Sequence, residues 1–423
     1  MIRVAVATLG CKTNAFESSA IAGGFDPSRY EIVPFEAAAD IYIVNTCTVT
    51  GRTDFKSRNL IRKALRRKAD DPAVKVVVTG CYAQRSRDEV MGLGDIDLVV
   101  DNQSKVNLSK LLDAPDYHFL EIGEARDFNF VPVKRMLDHS RAFQKIQDGC
   151  DFHCAYCAVP SARGRSRSAS LEDVVSQARL FVANGYKEIV LGGVNLCLYR
   201  DGKHGLADVV ESLQAIEGLE LIRLSSIEPQ LLSSELLERV SRIPKLCPHF
   251  HIPLQSGCDA VLKRMGRRYD TALFKELISD IMILFPTAAI GLDVIAGFPG
   301  ETDGEFENTL SLLAGLPITY LHAFTFSPRS GTPAASLSGQ IASDVKNIRV
   351  NRLTALSKSK TSSYVELLIG KEITLRGVCE KVENGKGAFL SDHYVRAWGK
   401  GCSVPGELCR LIPHRPYLQG VEG

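Results

Sequence analysis

The sequence predicts an α/β protein in three parts: an N-terminal open parallel α/β sheet, a central partial TIM-like (β/α)6 barrel, and a small C-terminal β-barrel. Three observations predict it. Strand-like runs alternate with helix-like stretches as far as about residue 360, and the first three runs are rich in Val and Ile, the pattern of parallel strands buried on both faces. The chain then changes to short strand-like runs between Gly and Asn punctuation. Its 423 residues, at about 150 per domain, allow about three domains.

In order, Ile2–Thr8, 41–44 and 74–78 read as buried strands, with helix-like stretches at 17–22 and 54–68 between them. This is βαβ patterning, so residues 1–125 form a doubly wound sheet. Residues 126–140 are mixed and turn-rich and serve as a linker. The second domain, 136–360, carries strand candidates at 142–146, 188–191, Leu221–Leu224, 249–252, 289–294 and 320–326. Helices are expected at 171–184, 206–216, 233–243, 270–285 and 303–313. Six βα units suit an open barrel with its chemistry at the strand carboxyl ends. In the third domain, 361–423, strands are expected at 373–382, 388–390, 394–397 and 408–412, with Asn384-Gly385 as a turn.

Hydrophobic content of 45% and charged content of 24% are globular values and exclude wholesale disorder or a collagen-like chain. A net charge of +2, from 51 Lys and Arg against 49 Asp and Glu, excludes a polycation but not a local basic surface. The start, MIRVAVATLGCK, lacks a signal peptide's features, and the most apolar run, 281–292, is broken by Pro286 and Gly291. A membrane span needs about 20 residues. A cytoplasmic protein with no membrane partner is therefore expected. In that reducing compartment disulfides are not expected, and grouped cysteines point to metal or redox chemistry.

Of 12 cysteines, three close the three N-terminal strands: Cys11 after IRVAVATLG, Cys47 after IYIVNT and Cys81 after VKVVVTG. Strand carboxyl ends share one sheet edge, so three distant thiols converge there. Three buried structural cysteines would also be ordinary, but would not explain the repeated placement. A second set, Cys150, Cys154 and Cys157 in GCDFHCAYC, lies just after a barrel strand. Three thiolates in a C-x3-C-x2-C loop wrap one face of a cubane cluster and leave one iron open. A zinc site would want a fourth ligand at standard spacing, and none follows.

C-x3-C-x2-C at the first strand of such a barrel resembles the radical S-adenosylmethionine (SAM) superfamily. Both cysteine sets together resemble its methylthiotransferase family, whose members carry an N-terminal three-cysteine domain, a radical SAM domain and a C-terminal TRAM domain. The stretches LGCKTN, VNTCTVT, VTGCYAQ, IQDGCDFHCAYCAVPSARGRSRS, LSSIEP, HIPLQSGCDAVLKRMGRRY, DVIAGFPGET and FSPRSGTPA carry the likeness over essentially the whole chain. LGCK-x-N with NTCTVT is most similar to the branch acting on threonylcarbamoyladenosine beside the tRNA anticodon. GCQMN with NTCSIRE marks the isopentenyladenosine branch, and GCPKN with NTCGF the branch acting on a ribosomal protein.

The resemblance implies a tRNA-modifying methylthiotransferase that uses SAM and two [4Fe-4S] clusters. Cys150, Cys154 and Cys157 would hold the radical SAM cluster, and Cys11, Cys47 and Cys81 an auxiliary one. One SAM would methylate sulfur at the auxiliary cluster and a second would give the adenosyl radical that acts at C2 of the base. The partners implied are tRNA, an electron donor protein and a sulfur source. For SAM, Gly192 and Gly193 follow the second barrel strand and permit close backbone approach, as an ordinary βα turn also would. Ser226 and Glu228 follow the third strand and would meet the ribose or sulfonium, unless Glu228 caps a helix. Gln255 and Ser256 follow the fourth strand, where plain loop polarity is the alternative; Asp293 opens the adenine-side segment. Cys197 and Cys258 replace the family's usual Gly and Ser and read as packing. Cys247, Cys379, Cys402 and Cys409 read as small apolar residues with no ligand-like grouping.

For RNA, the 52–68 stretch presents Arg52, Lys56, Arg58, Arg62, Lys63, Arg66, Arg67 and Lys68 against Asp54 alone. These fit either tRNA phosphates or a solvated basic face. Arg163, Arg165 and Arg167 fit substrate phosphate or the threonyl carboxylate, or else internal carboxylates. The tail, with 8 Lys and Arg against 7 Asp and Glu, suits shape-based RNA contact only. Two other classes remain open at this point: a non-catalytic iron–sulfur RNA-binding protein and a zinc-stabilised structural protein.

Overall fold

Five parallel strands form the N-terminal sheet, in the order Tyr30–Val33, Ile2–Thr8, Ile41–Thr46, Lys75–Gly80, Leu98–Val100. The three central strands are the continuous Val/Ile runs of the sequence. The two edge strands escaped the sequence reading because one is short and the other is largely exposed. Strand order reverses between Ile2–Thr8 and Ile41–Thr46, which opens a crevice at their carboxyl ends. In this computed structural model the described residues are 1–112, 114, 117–383 and 385–423, so Asn384 of the expected Asn384-Gly385 turn lies outside them.

Helix Lys12–Gly23 starts directly after Cys11, five residues earlier than the sequence suggested. Its first turn went unmarked because the helix lacks an amphipathic stripe. Phe16 and Ala20 join the barrel core while Ile21 joins the sheet core, so the helix is a wedge between the two domains. Asn14, Glu17, Ser18 and Ser19 are buried on it, each bonded to neighbouring elements or its own backbone.

The barrel strands are Ala142–Lys145, Glu188–Gly192, Leu221–Leu224, His249–His251, Ala289–Ala296 and Tyr320–Thr325. They pair in parallel as two three-stranded sheets, joined by bridges Ile222↔Leu246 and Ser226↔His251. The first and last strands do not pair, so the barrel is open, and the wedge helix packs against the first. Helix Ser343–Gly370 was not expected. It packs along Tyr320–Thr325 and runs unbroken through residue 361, where the third domain was expected to begin. Its buried face includes Lys346 and Arg349, which blurs its hydrophobic period.

The tail is a six-stranded sheet ordered Leu408–Leu411, Leu375–Glu383, Lys386–Leu390, Arg396–Gly399, Gly420–Glu422, Arg415–Tyr417. The last two strands were not foreseen. Two readings of the cysteines need correction here. Cys402 and Cys409 form a disulfide, where none was expected, and Cys379 brings its sulfur within 4.8 Å of both. Strand pairing causes the grouping: Gly377↔Cys409 and Cys379↔Phe389 place the side chains in one barrel core, which spacing alone does not reveal. Among the described residues no helix is long and apolar enough to cross a membrane.

Candidate active site

The carboxyl ends of the N-terminal strands deliver the first three cysteines to one place. Cys11 precedes the wedge helix, Cys47 follows Ile41–Thr46, and Cys81 begins helix Cys81–Arg85. Gly10 has φ +103°, and a Cβ there would sit 2.6 Å from Cys47 Sγ, so only glycine lets Cys11 and Cys47 approach. Gly80, with φ +95°, lies against the Thr46 backbone in the same way. Cys11, Cys47 and Cys81 line a cavity of about 360 Å³ together with Cys157 from the barrel loop. The sheet edge thus caps the barrel mouth, and the first cysteine set shares a chamber with Cys157 of the second.

The barrel loop is built for anionic sulfur. The Phe152 N–H donates to Cys150 Sγ and the Val159 N–H to Cys157 Sγ, each at 3.4 Å. Arg267 Nη1 donates to Cys154 Sγ at 3.2 Å. Such donors stabilise thiolate ligands. Burial, aided by the neighbouring thiols, pushes Cys47 and Cys157 up to about 12 and raises Cys150. Free, these thiols keep their protons; a bound metal centre displaces them. The donor set fits iron–sulfur ligation of the radical SAM type.

Beside this chamber lies a buried charge network. Glu17 on the wedge helix meets Arg163 at 2.9 Å, Lys145 at 2.9 Å and Lys105 at 2.5 Å. Asp148 meets Arg163 at 2.9 Å, Lys145 at 3.2 Å and Arg167 at 3.8 Å. Burial would raise both carboxyls, but these cations overcome it: Glu17 falls well below its usual range and Asp148 to about 2. Arg163 Nη2 also donates to Asn14 Oδ1 at 2.6 Å, and Asn14 donates to the Thr46 carbonyl at 2.9 Å. The network therefore ties the wedge helix, the cluster loop and the Cys47 strand into one unit. Four cations face two carboxylates, which leaves a positive excess near Cys81.

The expected SAM residues divide. Gly193, Ser226, Gln255 and Asp293 line the chamber opposite the N-terminal cysteines. Gln255 holds a left-handed φ of +69°, a conformation disfavoured outside glycine and common at functional sites. Gly192 ends its strand and is buried just below. Ser256 is buried away from the chamber against Thr309 and the Cys258 N–H. Glu228 is ion-paired with Arg267 and lines a separate pocket with Cys154 instead of facing the chamber. Burial raises its carboxyl, and Arg267 offsets this only in part. Asp293 is gripped by His251 Nε2 at 3.0 Å and His322 Nδ1 at 3.2 Å, three ligand-type atoms within 4.8 Å of one another. Cys197 and Cys258 are packed as expected, and burial pushes Cys197 up to about 12.

The expected substrate arginines are corrected in two cases. Arg163 and Arg167 are buried and committed to Glu17 and Asp148, because the loop folds them inward; only Arg165 is exposed. On helix Gly51–Asp70, Arg58 is engaged by Glu89 and the Tyr82 hydroxyl. Lys63 pairs with Glu36 and Lys68 with Asp95 and Asp97. Arg52, Lys56, Arg62 and Arg66 remain exposed on one side, with Phe55 54% exposed among them.

Several residues were not singled out by sequence reasoning. Arg329 binds Asp54 and Thr48, and Ser327 accepts from the Gly51 N–H at 3.1 Å, so the loop after Cys47 is pinned to the loop after the last barrel strand. Arg85 bonds Ser161 Oγ at 2.8 Å across the same seam. Arg267 and Arg329 lie in HIPLQSGCDAVLKRMGRRY and FSPRSGTPA, which marked the segments but not these roles.

Residues 3–101 match the model of "Uncharacterized protein family UPF0004" and residues 145–313 that of the radical SAM superfamily. The threonylcarbamoyladenosine tRNA methylthiotransferase MtaB of Bacillus subtilis (strain 168) is 40% identical, covering 99% of this chain and 96% of that protein. A tRNA-2-methylthio-N(6)-dimethylallyladenosine synthase of Clostridium botulinum (strain Loch Maree / Type A3) is 32% identical, covering 90% and 87%. The fold is similar to that of the radical SAM methyltransferase TsrM from Kitasatospora setae, with TM-score 0.59 at 14% identity, covering 79% of this chain and 76% of that one.

Proposed function

Because the chain belongs to the radical SAM methylthiotransferase family, we propose that it places a methylthio group on C2 of N6-threonylcarbamoyladenosine in tRNA. The observation that carries the reading is the shared chamber: Cys11, Cys47, Cys81 and Cys157 line one cavity of about 360 Å³. A single-cluster enzyme or a passive RNA binder has no need of a thiol triad that shares a cavity with a cysteine of a second triad.

Cys150, Cys154 and Cys157 hold one [4Fe-4S] cluster, and Cys11, Cys47 and Cys81 a second. When bound, the clusters and SAM supply radical hydrogen abstraction and the sulfur that is transferred. The chain's own residues orient and enclose. Arg267 and the Phe152 and Val159 N–H groups hold the loop sulfurs. Gly193, Ser226, Gln255 and Asp293 form the wall against which SAM lies. Phe324, which lines the chamber and is 43% exposed, offers a face on which a flipped-out base stacks. The exposed Arg52, Lys56, Arg62 and Arg66 run from the chamber along helix Gly51–Asp70 and suit the phosphates of the anticodon stem. The electron donor and the sulfur source are separate partners.

The higher identity to the threonylcarbamoyladenosine enzyme supports that branch, as do LGCK-x-N and NTCTVT. Mass spectrometry of nucleosides from tRNA of cells lacking this gene tests it. Methylthio-threonylcarbamoyladenosine should vanish while methylthio-isopentenyladenosine persists; the opposite pattern would assign the chain to the other branch.

A further inference from the structure

The chamber's neighbour is a second cavity, of about 250 Å³, which shares Cys11 with it and is otherwise lined by Thr8, Lys12, His139 and Phe143 among others. Lys12 is the first residue of the wedge helix and is half-buried between the sheet and the barrel. It makes no hydrogen bond or ion pair with any described residue. The charges that act on it are Arg223, Arg141, Glu188 and Cys11. Glu188, the one carboxylate among them, is already taken: Arg223 Nε binds it at 2.8 Å and Arg141 approaches to 3.7 Å. Arg223 spends its other nitrogens on the Ser391 and Asp392 carbonyls, and Arg141 meets Glu380 at 2.9 Å. Lys12 is thus a cation without an anion, in a region that already holds two arginines. Such a group is costly unless a ligand brings the missing charge.

The reacting geometry says where that ligand charge would be. C2 of the base must come to the side of the chamber lined by Cys11, Cys47 and Cys81, and Cys11 is the one of these that the second cavity shares. C2 and C6 of adenine flank the same ring nitrogen, N1, and C6 carries N6, so a long N6 substituent turned toward N1 comes into the neighbourhood of C2. A threonylcarbamoyl group ends in a carboxylate and a hydroxyl, whereas an isopentenyl group is apolar. We propose that Lys12 receives the substituent's carboxylate in the second cavity and so makes the site selective for an acidic N6 substituent. This rests on the functional reading above, and it adds a specificity-determining residue to it.

The test uses the full chain with its clusters reconstituted anaerobically. Binding is measured by fluorescence anisotropy to anticodon stem-loop RNAs of one sequence that carry threonylcarbamoyladenosine, its carboxylate methyl ester, or isopentenyladenosine. The unaltered protein should bind the acid about ten- to a hundredfold more tightly than the ester, the range expected for a charged hydrogen bond. Lys12→Met should bind acid and ester alike, and Lys12→Arg should keep a preference for the acid. An unaltered protein indifferent to esterification would overturn the proposal without recourse to any variant. So would a Lys12→Met protein that keeps the full preference, or one that loses only cluster content while still telling acid from ester, since Lys12 would then serve the cluster. None of these outcomes touches the tRNA nucleoside profile, which tests the functional reading separately.

Discussion

Replacing Glu17 with Gln should unseat the joint between the cysteine-bearing sheet and the barrel. Glu17 is fully buried and holds Arg163, Lys145 and Lys105 at 2.5–2.9 Å. Breaking one buried pair costs about 3–5 kcal/mol, because a charge is left without its partner. Here three cations lose a share at once, and Asp148 retains contact with only two of them, Arg163 and Lys145. Lys105 keeps only Asn102, at 2.8 Å, and should shed its proton instead of staying an unpaired ammonium. The loss should therefore stay near about 4 kcal/mol and not triple. Urea unfolding followed by far-ultraviolet circular dichroism measures it. Adding Lys105→Met should cost less in the Glu17→Gln background than in the unaltered protein. A loss under about 1 kcal/mol, or strict additivity of the two substitutions, would refute the reasoning. The sign of the pH dependence follows from the same site. Glu17 and Asp148 are depressed on folding, so their stabilisation is present above the unfolded carboxylate pKa and is lost as pH falls through the native values. For Asp148, lowered from 3.8 to about 2, this is about 2 kcal/mol lost between about pH 4 and 2.

The remaining expectations concern the clusters and the RNA. Cys154→Ala should abolish SAM cleavage, while Cys47→Ala should retain some cleavage, form no methylthio product and bind about four irons per chain instead of about eight; iron content equal to that of the unaltered protein, with unchanged product, would reject the ligand assignment. Gly10→Ala should lose iron from the N-terminal site, since its φ is +103° and the added methyl meets Cys47 Sγ at 2.6 Å; unaltered iron content would show that the crowding is relieved. Arg62→Glu should weaken tRNA binding and flatten its salt dependence by about one to two phosphate contacts, measured by filter binding across salt concentrations. Arg58→Ala should do less, because Glu89 and Tyr82 already hold that side chain; an effect as large as that at Arg62 would contradict the exposed-face assignment.

Local sequence determined the parts of this protein that repeat a simple pattern. Val- and Ile-rich runs marked the three central sheet strands, and shorter apolar runs between helix-like stretches the six barrel strands, all to within two residues, because strands buried on both faces need little but apolar side chains. Cysteines placed just past strand ends announced two ligand triads, because parallel strands bring their carboxyl ends to one edge. What local pattern does not encode is which distant charge an inward-folded side chain will meet. Arg163 reads like Arg165 in ARGRSRS, yet one is buried on Glu17, 146 residues earlier in the chain, and the other faces solvent. Glu228 turned to Arg267, and Cys379, Cys402 and Cys409 met in one β core, through contacts across tens of residues. The wedge helix shows the reason most plainly. Buried on both sides by two domains, Lys12–Gly23 has little solvent face, so it lacks the amphipathic period that would have carried the expected 17–22 stretch back to Lys12. Only the docking of sheet on barrel gives it two apolar neighbours, and that docking alone leaves Lys12 without an anion.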